Sequence, residues 1–235
     1  MKYLKIIPLI IIIPLIINCL GKGDEGDPNG ELFGTFYNDD GYYVVSDTVT
    51  GANGFVPKIF FQNDDTLQNL ENKTRIFIQY KYVREHKDVG FEVECLDYKI
   101  VPTLQIFNID ENDDSGRDTL GRDSHVLRQL SISHNYLNII TEIPCRDENN
   151  HQLWITKDVI EQDPSKLDEI ILRLNHKILK IEEFYNTRLF YLSVPIKELI
   201  DNNPEIETFT FVVYREATFI SRQTLTIKYT PNISE

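Results

Sequence analysis

Cysteine is scarce in this chain. There are three in 235 residues, Cys19, Cys95 and Cys145, and no Cys-x-x-Cys pair. A zinc knuckle or a dithiol redox motif therefore has no basis in the sequence. Basic charge is short as well, with 24 Lys and Arg against 37 Asp and Glu, a formal −13. That balance disfavours nucleic acid, whose affinity comes mostly from cationic contacts to phosphate. The five histidines, His86, His125, His134, His151 and His176, show no HExxH spacing and no close pair. Solvated loop positions are the expectation for them, and no metal site is assigned. Asp123-Ser124-His125 contains the residue types of a hydrolytic triad, but such groups meet in space rather than in sequence. A GxSxG elbow is lacking too. No residue is assigned catalysis, no cofactor is implied, and the expectation is a protein that is not an enzyme.

What the chain does have begins at its start. Lys2 and Lys5 precede an apolar run from Ile6 to Ile17, interrupted only by Pro8 and Pro14. Those 12 residues fall short of the about 20 needed to span a hydrocarbon core. They fit the apolar part of a secretory leader, which is removed from the mature chain. The run ends in Ile16-Ile17-Asn18-Cys19, which resembles a bacterial lipobox, where cleavage precedes a cysteine already diacylated on its thiol. Asn18 departs from the small residue usual at that place. The expectation is a lipoprotein signal peptide over 1–18, with the lipid on Cys19 as the only covalent addition. Leu20 to Gly30, with four glycines, three acids and Pro28, has the composition of a flexible tether. Loss of Lys2 and Lys5 leaves 22 basic against 37 acidic side chains, or −15. Anionic lipid heads would not hold such a chain, so the acyl groups would have to; more than one chain is needed for firm anchoring.

From residue 31 onward the apolar residues alternate, which marks half-buried strands. Asp40-Gly41 is a hairpin signal between Leu32–Tyr37 and Tyr42–Thr50. Val56–Phe61 and a long strand from Arg75 to Val83 follow. Phe91, Val93 and Cys95 share one phase, whereas Leu96, Tyr98 and Ile100 take the other; such a flip reads as a bulge, and bent strands suit a small closed barrel. Val101–Phe107 adds a further strand, with Pro102 at its start. Residues 31–108 are thus expected to form a small OB-type barrel. An acidic connector over 109–125 separates it from residues 126–235. There, seven strand candidates lie near 128–133, 136–143, 151–156, 168–175, 187–194, 207–215 and 222–230, the pattern of a seven-stranded immunoglobulin-like β-sandwich. Short helical pieces are expected near Lys157–Gln162 and Ile196–Asp201. The fold class is all-β.

Three further groups of residues bear on chemistry. Asp110, Asn112, Asp113 and Asp114 ahead of Gly116 offer oxygen ligands of the kind Ca²⁺ takes. The glycine stands one place late for an EF-hand loop, however, and Gly121 occupies the place of its bidentate Glu. A solvated connector is the plainer expectation. Cys95 and Cys145 lie 50 residues apart beside strands; they either pair as a disulfide, which an oxidising compartment permits, or remain two buried thiols. Tyr42, Tyr43, Phe60, Phe61, Tyr80 and Tyr82 could supply stacking platforms for a sugar, with about half of them directed into the core by alternation.

Taken in order, several segments resemble the NigD-like lipoproteins of Bacteroidota. These are Asp40-Gly-Tyr-Tyr-Val-Val45, Arg75-Ile-Phe-Ile-Gln-Tyr80, Asp118-Thr-Leu-Gly-Arg-Asp123, Tyr136-Leu-Asn-Ile139 and Leu172-Arg-Leu-Asn-His176. The resemblance spans about residue 31 to the end and implies the two-part fold and the lipid anchor. It brings no catalytic residues. Because fold does not fix function, the expectation is an outer-membrane lipoprotein that binds a protein or glycan partner. Alternatives are an immunity or accessory factor for a bacteriocin, and a glycan-binding accessory to an outer-membrane importer. Acid shortly after Cys19 (Asp24, Glu25, Asp27) is similar to the export signals of surface lipoproteins in that phylum.

Overall fold

The structure, a computed structural model, describes residues 29–39, 41–47, 56–61, 67–86, 89–113, 121, 123–133, 135–180, 186–214 and 222–229. Its first five strands are β1 (Asn29–Tyr37), β2 (Tyr43–Ser46), β3 (Lys58–Phe61), β4 (Arg75–His86) and β5 (Gly90–Ile100). They close a barrel in the order β1-β2-β3-β5-β4. All neighbours are antiparallel except β3 and β5, which run parallel from Lys58↔Gly90 to Phe61↔Val93. Alternation sends Leu32, Phe36, Val44, Ile59, Phe61, Ile76, Ile78 and Val93 into one interior cluster. The expected bulge is present. Gln79 faces Asp97 while Tyr80 faces Cys95, so Leu96 is the extra residue. Extra residues of this kind raise local twist and let a strand curve around a closed barrel. Leu96 and Ile100 do not reach the interior, and both are more than half exposed. Leu96 is displaced by the bulge itself, and Ile100 ends its strand where the chain leaves the barrel.

Eight further strands follow: β6 (Ile106–Ile109), β7 (Val126–Ser133), β8 (Tyr136–Pro144), β9 (His151–Asp158), β10 (Glu169–Ile178), β11 (Thr187–Pro195), β12 (Thr208–Tyr214) and β13 (Arg222–Lys228). Seven lie where alternation placed them. They form a five-stranded sheet, β13-β12-β10-β9-β6, and a three-stranded sheet, β11-β8-β7. One core unites the two sheets, with Leu137, Ile139, Leu192 and Val194 from the smaller and Ile155, Leu172, Leu174, Phe209 and Phe211 from the larger. The helical pieces among the described residues are 3-10 turns at Glu148–Asn150 and Val159–Glu161 and helix α1 at Lys197–Asn202.

The eighth strand corrects the expected layout. The stretch 101–107 is not a barrel strand. Ile106–Ile109 pairs in parallel with β9, from Ile106↔Ile155 to Ile109↔Asp158. The anticipated boundary at 108/109 therefore falls inside a strand of the second unit, and that unit has eight strands rather than seven. Pairing partners so distant in sequence leave no local signal in the strand that makes them.

Barrel and sheets share a second, smaller apolar cluster. Phe33 and Phe77 point out of the barrel, away from Leu32, Ile76 and Ile78, and pack with Val101, Ile140 and Tyr191. The Phe77 and Tyr191 ring centroids are 4.4 Å apart. Burial on both faces of β4 explains its unbroken start, Arg75-Ile-Phe-Ile, where simple alternation would leave every second residue in water. The connecting chain is tied down too: Ser193 N–H donates to the Pro102 carbonyl (3.0 Å) and Leu104 N–H to the Ser193 carbonyl (2.8 Å).

Candidate functional site

The barrel's outer face carries a band of aromatic side chains that sequence alternation only half located. Tyr37 and Tyr43 are directly opposite on β1 and β2, with rings stacked at 5.4 Å and 14°. Tyr43 is directly opposite Phe60 on β3, at 6.2 Å between ring centroids. His86, at the end of β4, continues the band 5.4 Å beyond Phe60. None of these four side chains is fully buried. Cross-strand aromatic pairs stabilise a sheet by a few tenths to about 1 kcal/mol each, so the band is compatible with the fold's own needs; what distinguishes it is its length across three adjacent strands and its polar border. Lys58 Nζ lies 4.7 Å from the centre of the Tyr43 ring. Glu92 Oε2 accepts from Arg84 Nε (2.6 Å) and sits 3.2 Å from His86 Nε2. Those two partners hold the Glu92 carboxyl below its ordinary pKa, so it remains an acceptor through mildly acidic conditions. Three of the other aromatics proposed from sequence turn inward: Tyr42 and Tyr80 pack against the barrel core and Phe61 belongs to it. Tyr82 lies near Phe91, at 6.1 Å.

Behind the band, a buried polar clasp fixes the barrel to the sheets. Arg75, at the start of β4, forms a two-pronged ion pair with Asp47 just past β2, both nearly inaccessible to solvent. The same guanidinium donates to Thr35 (2.9 Å) and, across the junction, to Asn138 Oδ1 on β8 (2.8 Å). Asn138 Nδ2 donates to Asp47 (2.8 Å) and to Ser133 (2.9 Å), while Ser193 on β11 donates to Asn138 Oδ1 (2.6 Å). The Tyr136 ring covers the guanidinium at 4.2 Å. Each buried polar atom named here has a partner, the condition under which such a network is tolerated in a core. Burial, and then the neighbouring Tyr43 and Tyr136, raise the pKa of Tyr37.

Most of the other residues singled out in the sequence do not assemble into a reactive site. Cys19 and Asp114 lie outside the described residues, as does His134. Asp110 and Asn112 sit in an exposed turn after β6, closed by Asp113 N–H donating to the Asp110 carbonyl at 3.1 Å. No disulfide joins Cys95, on the barrel strand β5, to Cys145, past the end of β8. Among the described residues, no group of three or more His, Cys, Asp or Glu side chains is arranged to hold a metal ion. Asp123-Ser124-His125 has no triad arrangement: His125 Nδ1 is directed at the Asp123 backbone carbonyl, 3.2 Å away, and the Asp123 carboxylate accepts from Ile178 N–H at 2.6 Å.

The histidines correct the sequence reading. His125, His151 and His176 are not solvated loop residues; all three are buried and meet at one end of the two-sheet core. A signal was present. His176 is in phase with Ile170, Leu172 and Leu174, so β10 had to turn it inward.

With this geometry in view, comparison with known proteins places the fold. No family model matches the chain, and no curated protein matches it in sequence. Solved structures do match. A protein of unknown function from Bacteroides vulgatus superposes with a TM-score of 0.67 at 16% identity, covering 87% of this chain and 92% of that one. A candidate lipoprotein of Bacteroides fragilis reaches 0.65 at 11% identity, over 87% and 99% of the two chains. A NigD-like immunity protein of Bacteroides caccae reaches 0.60 at 18% identity, over 89% and 100%. The class is therefore an all-β protein in which a closed five-stranded barrel is joined to further sheets. The likeness to NigD-like proteins read from the sequence is met in the fold, over nearly the whole length of each chain.

Proposed function

We propose that this chain is a lipid-anchored protein of the bacterial outer membrane, held there through Cys19, that binds an uncharged glycan rather than transforming a substrate. The observation carrying this reading is the Tyr37–Tyr43–Phe60 band with its border of Lys58, Arg84, His86 and Glu92. Ring faces offer apolar contact to sugar C–H groups, and the polar border offers hydrogen bonds to hydroxyls. The formal −13 of the chain works against a polyanionic ligand and leaves a neutral one unaffected. Such a protein would serve as an accessory to glycan capture or import.

Two experiments test the two halves of the proposal. Cys19→Ser should move the protein from the membrane fraction to the soluble fraction of cells, and unchanged fractionation would remove the lipid anchor from the account. On a glycan array, the full chain in detergent should bind a neutral saccharide, and Tyr43→Ala with Phe60→Ala should weaken that binding by at least tenfold. Silence across the array would sink the glycan reading. The second reading is immunity to a secreted toxin, favoured by the likeness to a protein named as a NigD-like immunity protein. Under it, a deletion strain becomes sensitive to toxins of sibling strains, and the double alanine variant need not restore protection.

A further inference from the structure

His125, His151 and His176 come from three separate stretches and carry a hydrogen-bond pattern that fixes their protons. His176 Nδ1 and His125 Nδ1 each lie 3.2 Å from the backbone carbonyl of Asp123. A carbonyl can only accept, so both rings hold their proton on Nδ1 and present a bare lone pair at Nε2. His176 Nε2 is 2.8 Å from His151 Nδ1; with His176 accepting, His151 must donate. That spacing suits an N–H···N bond, and is tighter than the roughly 3.3 Å between two nitrogens sharing a tetrahedral zinc at its usual bond length. His125 Nε2 is buried with no hydrogen-bond partner. His125 and His176 are thus arranged as neutral imidazoles. A proton added at His176 Nε2 would point at the N–H of His151, and one added at His125 Nε2 would find no acceptor.

The same atoms hold the end of the acidic connector. Asp123 N–H donates to the His176 carbonyl at 2.9 Å. The Asp123 carboxylate accepts from Ile178 N–H, and its carbonyl takes the two imidazoles. Gly121 lies so close to the His176 carbonyl that a Cβ there would overlap it. Among the described residues, the groups facing the cluster include His151 from β9, His176 from β10, Asp123 and His125 from the segment ahead of β7, and the uncharged Phe190 ring from β11, 6.3 Å from His151. Lys177 is exposed, on the opposite side of β10 from His176. The Asp123 carboxylate, already engaged by a backbone N–H, would face the charges created by protonating His125 and His176.

We propose that this cluster is an acid-operated latch: neutral imidazoles pin Gly121 and Asp123–His125 to the end of β10, and their protonation releases them. The direction of the linkage follows from burial. His176 is pushed down to about 4, first by burial and then by His125 and His151, with Asp123 opposing. Burial also lowers His125, against the pull of its bond to Asp123. Unfolded or released, each would titrate near 6.5. The released state therefore binds more protons below about pH 6.5, and the pinned state loses its advantage progressively from there toward pH 4.

Residue-resolved amide exchange on the full chain in detergent, corrected for intrinsic rates, tests the latch. Between pH 7 and 4.5 the protection of the Asp123 and Ile178 amides should fall at least tenfold relative to Leu192 in the smaller sheet. His125→Gln with His176→Gln, which keeps polar side chains that cannot charge, should show no such fall. Retained protection in the native chain at pH 4.5, or an equal fall in the glutamine variant, would overturn the proposal. Should the variant not fold, imidazole titration of the native chain decides: midpoints depressed below the ordinary imidazole value at His125 and His176 are expected, and ordinary midpoints near 6.5 at both would refute the latch.

Discussion

Arg75→Ala should destabilise the folded chain by about 3–5 kcal/mol in urea unfolding, the usual cost of removing one partner from a buried ion pair. The large effect does not come from the attraction lost. It comes from what stays behind: the Asp47 carboxylate, buried and left with Asn138 Nδ2 as its remaining side-chain donor among the contacts described. Three other groups lose a partner at the same time, namely Thr35, Asn138 Oδ1 and Ser193. Because those groups belong to both the barrel and the smaller sheet, the variant should also unfold over a broader denaturant range, with the two units separating. Replacing the ion pair as a whole, Arg75→Met with Asp47→Leu, should recover at least half of the loss, since no charge is then stranded. A loss under about 1 kcal/mol for Arg75→Ala, typical of exposed pairs, would show that water reaches the clasp.

Gly90→Ala should cost about 2–6 kcal/mol and open the barrel between β3 and β5. Gly90 has φ +153°, a conformation that side chains resist at about 1–3 kcal/mol. A Cβ there would also overlap the Lys58 carbonyl, adding the penalty of overpacking against backbone that cannot swing aside, again about 1–3 kcal/mol. The position matters because Gly90 begins the parallel pairing that closes the barrel and also faces His86 at the end of β4. Amide exchange at Ile59 and Phe61 should rise, while Leu192 and Ile139 in the smaller sheet keep their protection. Gly41 provides the control. It too has positive φ, but a Cβ there meets nothing within 4 Å, so Gly41→Ala should carry the conformational cost alone. Equal losses at the two positions would mean that the Lys58 carbonyl yields.

How far such features can be read from sequence depends on their range. Strand existence was legible because alternation is local: seven strands of the second unit and the bulge at Leu96 follow from phase alone. The strand pairing was not. Nothing in Lys58–Phe61 reveals that its second neighbour is β5, running parallel, because the hydrogen bonds that decide it lie about 30 residues away. The expected barrel strand at Val101–Phe107 fails for the same reason: the strand that forms, Ile106–Ile109, pairs with β9. The clasp left a fainter trace: Asn138 and Ser193 are polar residues flanked by apolar ones in their strands, and they turn out to be directly opposite one another. Read singly, each looks like a lapse in the pattern; paired with Arg75 and Asp47 they form a single network. The histidine cluster was hidden by sequence distance, since 25 residues separate His151 from His176. Only the phase of β10 gave it away. The aromatic band required both pieces of information, phase to send Tyr43 and Phe60 outward and register to line them up.

The placement of β6 has one more consequence. This strand precedes the acidic connector in the chain yet forms an edge of the larger sheet. A single cut within that connector would leave the second unit assembled from both fragments, one donating its edge strand to the other. The two pieces should therefore migrate together on gel filtration and part only in denaturant. In topological terms the molecule has no seam at its most conspicuous sequence boundary.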